Sequence, residues 1–137
     1  MCRLLIALIS SLCAACAVAQ SYPQKPVRLV VPFAAGSATD IVARLLAQGL
    51  SERMKATFVV EDRPGANGAI AADYVAKAAP DGYTLMIATT SSHSQAVLMM
   101  KGVTYDGLKD FTPIAGVGGV PFVIVVHPSL PVRACAS

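Results

Sequence analysis

Apolar residues along this chain follow two alternating rhythms. Val27-Arg28-Leu29-Val30-Val31 is a largely β-branched run closed by Pro32 and predicts a buried strand. From Ala38 the period lengthens. Ile41, Val42, Leu45, Leu46 and Leu50 fall at helical spacing and predict one apolar stripe, with Arg44, Gln48, Glu52 and Arg53 off it. Ser37 and Thr39 are equally allowed N-caps, and Asp40 falls in the first turn, where a negative charge suits the helix dipole. Phe58-Val59-Val60-Glu61 reads as a second strand, followed by a stretch dense in turn formers from Asp62 to Gly68. The spacing of Ile70, Ala71, Tyr74, Val75 and Ala78 predicts a second helix from about Ala69 to Ala79, stopped by Pro80-Asp81-Gly82. Thr84 to Ala88 reads as a third strand, Thr89 to Ser94 as a hydroxyl-rich loop and Gln95 to Met100 as a short helix. Thr112 to Gly116 and Phe122 to Val126 read as further strands.

Strands separated by helices predict an α/β fold: a mainly parallel sheet with flanking helices. In such sheets ligands sit beyond the carboxyl ends of the strands. Residues 33–40 and 89–94 lie there, and first and third strands are commonly neighbours, so the two loops are expected to face each other.

The first residues follow another pattern. Arg3 supplies a positive start, Leu4 to Val18 an apolar stretch, and Ala17-Val18-Ala19 a small-x-small cleavage site, so residues 1–19 read as a signal peptide with Gln20 as the new N-terminus. The stretch is short for a transmembrane helix, and a lipoprotein signal ending at Cys16 is the minor alternative. Cleavage removes Cys2, Cys13 and Cys16 and leaves Cys135 without a disulfide partner in an oxidising compartment. The whole chain is 55% hydrophobic and 14% charged, which argues against disorder. Removing Arg3 from 11 basic residues leaves 10 against 8 acidic ones, spread along the chain. The absence of a basic run interleaved with aromatics, and of Trp, argues against a nucleic-acid surface.

The loop Phe33-Ala34-Ala35-Gly36-Ser37-Ala38-Thr39-Asp40 has small side chains that let a ligand approach the backbone, and a helix start suited to a carboxylate or phosphate. A plain strand-to-helix turn is the competing account. A phosphate loop would need a second glycine and a lysine, and no G-x-G-x-x-G is present. Gly116-Val117-Gly118-Gly119 opens no helix, and Ser37 lacks a G-x-S-x-G setting. No cofactor is therefore expected. In Thr89-Thr90-Ser91-Ser92-His93-Ser94 the hydroxyls and imidazole can donate to a carboxylate, or can simply cap a helix. His93, His127 and the distant Cys135 make a poor metal set.

Several motifs in one order carry a family resemblance. VRLVVPFAAGSATDIVARLLAQGLSE, then EDRPGANGAIAADYVAKAAPDGYTL from Glu61 to Leu85, then Tyr105-Asp106 with Lys109-Asp110-Phe111-Thr112-Pro113-Ile114 resemble the Bug-type (TctC-like) periplasmic receptors of tripartite tricarboxylate transporters, from about Tyr22 to Arg133. The resemblance implies one lobe of a two-lobed periplasmic binding protein, type II-like, that closes on a small carboxylate and passes it to membrane permease subunits. It implies a non-enzyme, periplasmic and without membrane insertion of the mature chain. It also implies ligand contacts from Phe33, Ala34, Gly36, Ser37, Thr39 and Asp40 in the first loop, and from Thr89, Thr90, Ser91 and His93 in the other. Ser37 stands where such receptors have a second glycine, and Asp62 where Asn is more usual, a change expected to matter little to binding. Residues 20–127 are then the amino-terminal lobe and 128–137 the start of a crossing towards a missing second lobe, which makes the chain a truncated receptor. Two readings compete: an exported α/β hydrolase using Ser37 or Ser91, and the effector lobe of a cytoplasmic regulator. The signal peptide and the lack of a DNA-binding segment count against the latter.

Overall fold

The computed structural model describes residues 22–119, 125–127 and 129. The expected signal peptide, Cys16, the Phe122–Ile124 part of the last predicted strand and most of 128–137 lie outside the described residues.

Three parallel strands form the sheet: β1 (Val27–Val31), β2 (Phe58–Asp62) and β3 (Thr84–Met86), in the order β2-β1-β3. Val27 stands beside Phe58 and Val31 beside Asp62 on one side of β1, and Arg28 beside Thr84 on the other. The Ile87 N–H still donates to the Val30 carbonyl at 3.0 Å, so pairing outlasts β3 by one residue. Helices cover both faces, as a parallel sheet requires. Helix α1 (Ala38–Met54) packs Ala43 and Ala47 on Leu29 and Val31, with Leu46, Phe58, Val60, Leu85 and Ile87 around them. On the other face α2 (Ala69–Ala76) and the short α3 (Ala96–Met99) bury Ala69, Ala72 and Ala96 with Tyr105.

The start of α1 settles a choice the sequence leaves open. Ser37, with extended backbone (φ −68°, ψ 159°), is the N-cap, and its side chain accepts the Asp40 N–H. This conformation needs no glycine, so serine after Gly36 costs no strain and supplies a cap.

Three expectations are corrected. The buried stripe of α1 is Asp40, Ala43 and Ala47, while Ile41 (54% exposed), Val42 and Leu45 (65%) face outward. Alanines at i and i+4 bring the helix axis close to the sheet, and larger side chains on that stripe would hold it off. In α2 Ile70 is likewise exposed, the buried residues are Ala69, Ala71 and Ala72, and the helix ends at Ala76 instead of Ala79. Thr112–Gly116 forms no strand: it is exposed and no described strand lies beside it to complete a ladder. Val125 and Val126 are likewise exposed and belong to no strand.

Candidate functional site

All three strands run the same way, so the segments after β1, β2 and β3 leave from one edge of the sheet. They also touch. Gly68, between β2 and α2, has φ +90°, and a β-carbon there would come within 2.8 Å of the Ser92 β-carbon and 3.0 Å of the Pro32 β-carbon. Only a glycine lets these three segments meet so closely.

In the first loop Ala34 and Gly36 are exposed, Phe33, Ser37 and Thr39 are half-buried, and Asp40 is 2% exposed. The Asp40 carboxylate turns back under the loop. Its Oδ2 accepts the Gly36 N–H at 2.7 Å, and its Oδ1 lies 2.8 Å from Arg44 Nε. Arg44 also reaches Asp62 Oδ2, at 3.2 Å, across the end of β2. The close contact with the Arg44 guanidinium, then the hydrogen bond from Gly36, holds the Asp40 carboxyl below the usual carboxylate range. Asp62 is shifted the opposite way: burial pushes its carboxyl up, and the neighbouring Asp40 charge adds to the effect. Gly36 N–H and Asp40 N–H are thus taken internally, whereas the N–H groups of Ala38 and Thr39 have no partner among the described residues. Those two open donors sit in the first turn of a 17-residue helix, where an anion is favoured.

The loop after β3 is built on Ser92, which is fully buried. The Thr89 N–H donates to Ser92 Oγ at 3.1 Å, and Ser92 Oγ lies 2.9 Å from His93 Nδ1. Thr89 Oγ1 and Ser91 Oγ are 2.9 Å apart. The Tyr105 hydroxyl donates to the Ser92 carbonyl, and Gly107 lies so close to His93 that a β-carbon would fall 2.4 Å from the His93 carbonyl oxygen. The His93 ring packs on Phe111 with centroids 4.5 Å apart. Burial lowers the His93 pKa, so the ring is neutral near pH 7. Thr90 is exposed, and Thr89, Ser91 and His93 are half-buried.

The two predicted loops therefore share one edge. Sequence reasoning assigned no role there to Arg44, Asp62, Gly68, Ser92 or Tyr105. Of these, only Arg44 had a local signal, its i+4 spacing from Asp40. Two depressions of the described surface lie at the other end of the strands, by Pro23–Pro26 with Lys55–Thr57 and by Lys25, Arg28, Asp81 and Tyr83, and hold none of the predicted residues. Among the described residues no cluster of three metal-ligating side chains occurs, and no helix is long and apolar enough to cross a membrane.

Known proteins resemble this chain in sequence and fold. A UPF0065 protein of Bordetella bronchiseptica is 46% identical over 123 residues, covering 90% of this chain and 37% of that protein. The structure of MatC from Rhodopseudomonas palustris with bound malate superposes with a TM-score of 0.64 at 41% identity, over 67% of this chain and 31% of that one. An R. palustris protein solved with adipate gives 0.60 at 45% identity, over 63% and 29%. The chain thus spans about a third of the length of the relatives it matches. Residues 42–137, most of the chain, match the model of the tripartite tricarboxylate transporter family receptor. With a parallel sheet whose three loops meet at one edge, with this likeness to periplasmic binding proteins and with that match, the chain belongs to the tripartite tricarboxylate transporter receptor family.

Proposed function

We propose that this chain is the amino-terminal part of an extracytoplasmic solute receptor that captures a small dicarboxylate for a tripartite transporter. Residues 1–19 direct export to the periplasm, 20–127 form one lobe, and 128–137 lead towards a second. The observation that carries the reading is the meeting at Gly68 of the segments after β1, β2 and β3, the first of which leads into the open N–H groups of Ala38 and Thr39. Two backbone donors at a helix start suit one carboxylate, and the hydroxyls of Thr90 and Ser91 across the edge can donate to it or to a bridging water. Malate and adipate, bound by two relatives, are the first ligands to try. Phe33, Ala34, Gly36, Ser37 and His93 shape the surface, while Asp40 acts from beneath it. Membrane permease subunits are the partners that receive the ligand.

A hydrolase fits less well. It needs an exposed serine beside a base, yet the serine paired with His93 is the fully buried Ser92, and Ser37 is engaged as a helix cap.

The test is an amide NMR titration of the chain with malate and adipate. Shifts concentrated in residues 36–40 and 89–93, and lost in Ser37→Pro, are expected. Shifts centred elsewhere, or none at high ligand concentration, would overturn the assignment. N-terminal sequencing of periplasmic material should begin at or next to Gln20, and an intact Met1 would overturn the export claim.

A further inference from the structure

Beneath the first loop two carboxyl groups share one cation. Asp40 is 2% exposed, and its Oδ1 makes an ion pair with Arg44 Nε but no well-directed hydrogen bond. Asp62 gives its Oδ2 to Arg44, and its Oδ1 is buried with no partner among the described residues. The two carboxyls meet at one guanidinium, Asp40 Oδ1 at 2.8 Å from Arg44 Nε and Asp62 Oδ2 at 3.2 Å from Arg44 Nη2. Two negative charges against one guanidinium leave one charge uncompensated at a partly buried sheet edge, and each carboxyl keeps one oxygen without a well-directed hydrogen bond. A single proton held between the groups resolves both problems.

Among the described residues no other charged group faces the pair. From α1 come only Asp40 and Arg44. β1 sets Val31 beside Asp62. On β2, Glu61 is engaged with Arg63 at 2.6 Å, with Arg28 of β1 at 4.0 Å from its other oxygen. β3 lies on the far side of β1.

We propose that Asp62 is a proton-accepting positioning residue for the carboxylate-binding loop, acting with Arg44 through Asp40 to set the Gly36 N–H and the start of α1. The claim rests on the receptor reading for its use, but not for its geometry. With the proton present, Asp62 donates to Asp40, which keeps its grip on Gly36 N–H and Arg44. When the proton leaves, the two charges repel, the hold on Gly36 weakens and the loop relaxes. Burial and the Asp40 charge place this proton loss above the ordinary carboxylate range, while Asp40 titrates below it. Acidification therefore sharpens the loop before Asp40 itself is neutralised. Asparagine at this position donates permanently and removes the switch.

The experiment follows side-chain carboxyl carbons and the Gly36 amide by NMR as the full chain is titrated, in the natural sequence and in Asp62→Asn. Two Gly36 steps are expected, the upper one coinciding with Asp62. In Asp62→Asn the upper step vanishes, the lower one stays, and Gly36 holds its low-pH position up to neutral pH. A Gly36 amide that ignores the Asp62 titration, or an upper step that survives in Asp62→Asn, overturns the proposal. Should Asp62→Asn fail to fold, the coincidence of steps in the natural sequence decides. Malate is then added above and below the upper step. Tighter binding below it, by about tenfold for each unit by which ligand moves the Asp62 titration, is expected, with no such change in Asp62→Asn. If malate binds on neither side while Gly36 tracks Asp62, the positioning role stands and the receptor reading fails. If malate binds equally on both sides, the receptor reading stands and the positioning role fails.

Discussion

The loops after β1 and β3 end at the same edge, but different physics fixes them. The first is held by charge: a buried carboxylate, a half-exposed guanidinium and a second carboxyl set the Gly36 N–H and the start of α1. The second is held by neutral groups. Ser92 accepts from the Thr89 N–H and pairs with a neutral His93, the Tyr105 hydroxyl anchors its carbonyl, and Phe111 covers the imidazole. A charged scaffold answers to pH and salt, because protonation and screening change its energy directly. A neutral scaffold answers mainly to packing and to the removal of a hydrogen-bonding atom. The same edge thus joins an adjustable loop to a rigid one, and Gly68 is the point at which they touch.

Removing that point should have the largest effect. Gly68→Ala places a β-carbon into contact with both Pro32 and Ser92 and asks a non-glycine residue to hold φ +90°. A left-handed backbone costs about 1–2 kcal/mol and overpacking about 1–3, so a loss of about 3 kcal/mol is expected in urea denaturation. Amide shifts should appear in both loops. A loss under about 1 kcal/mol, or shifts in one loop only, would mean that the loops are fixed independently.

Two serines sharpen the contrast at the next level. Both accept a backbone N–H within their own segment: Ser92 from Thr89, and Ser37 from Asp40. Ser92 is fully buried and serves Thr89 and His93 as well, so Ser92→Ala leaves buried polar atoms unpaired and should cost about 2 kcal/mol. Ser37 caps a half-exposed helix start where water can replace it, so Ser37→Ala should cost about 1 kcal/mol. Denaturation of the two variants side by side checks the order, and equal losses would remove the distinction between a buried hub and a cap.

The sequence carries one part of this picture and hides another, for definable reasons. The strand–helix order is legible because a short β-branched run and a 3.6-residue period differ sharply, as at Val31 to Ala38. Loops 33–40 and 89–94 could be placed together because parallel strands send their connections to one edge. The inward face of α1 was not legible. Ala43 and Ala47 carry little hydrophobic signal beside Ile41 and Leu45, yet it is their small size that lets the helix settle on β1. Gly68 reads as one turn glycine among several, and its role follows from a three-way contact with residues 24 and 36 positions away. Ser91 and Ser92 are indistinguishable in sequence. The wider turn over Ser91–Gln95 turns one of them inward. Asp62 joins Asp40 only because β2 lies beside β1.

The smallest expected effect tests the comparison through the sign of a pH dependence. Burial lowers the pKa of His93, so near and below the ordinary histidine value the unfolded chain binds the proton more readily than the folded one. This contribution is fully present above about pH 6.5 and is lost as the pH falls from there towards the folded value. Asp62 has the opposite sign. Its pKa is raised by burial, so its contribution is full below the ordinary carboxylate value and is lost as the pH rises through its folded value. In the natural sequence the two oppose each other wherever their titrations overlap, and a flat stability profile there would hide both. Single variants separate them. In His93→Gln, which keeps a hydrogen-bonding atom for Ser92, stability should no longer fall between about pH 7 and pH 5.5. In Asp62→Asn the decline towards neutral pH should disappear and the histidine-linked fall should stand alone. Urea denaturation at a series of pH values measures both, and the same slope in His93→Gln as in the natural sequence would show that His93 is not held neutral by its burial against Phe111.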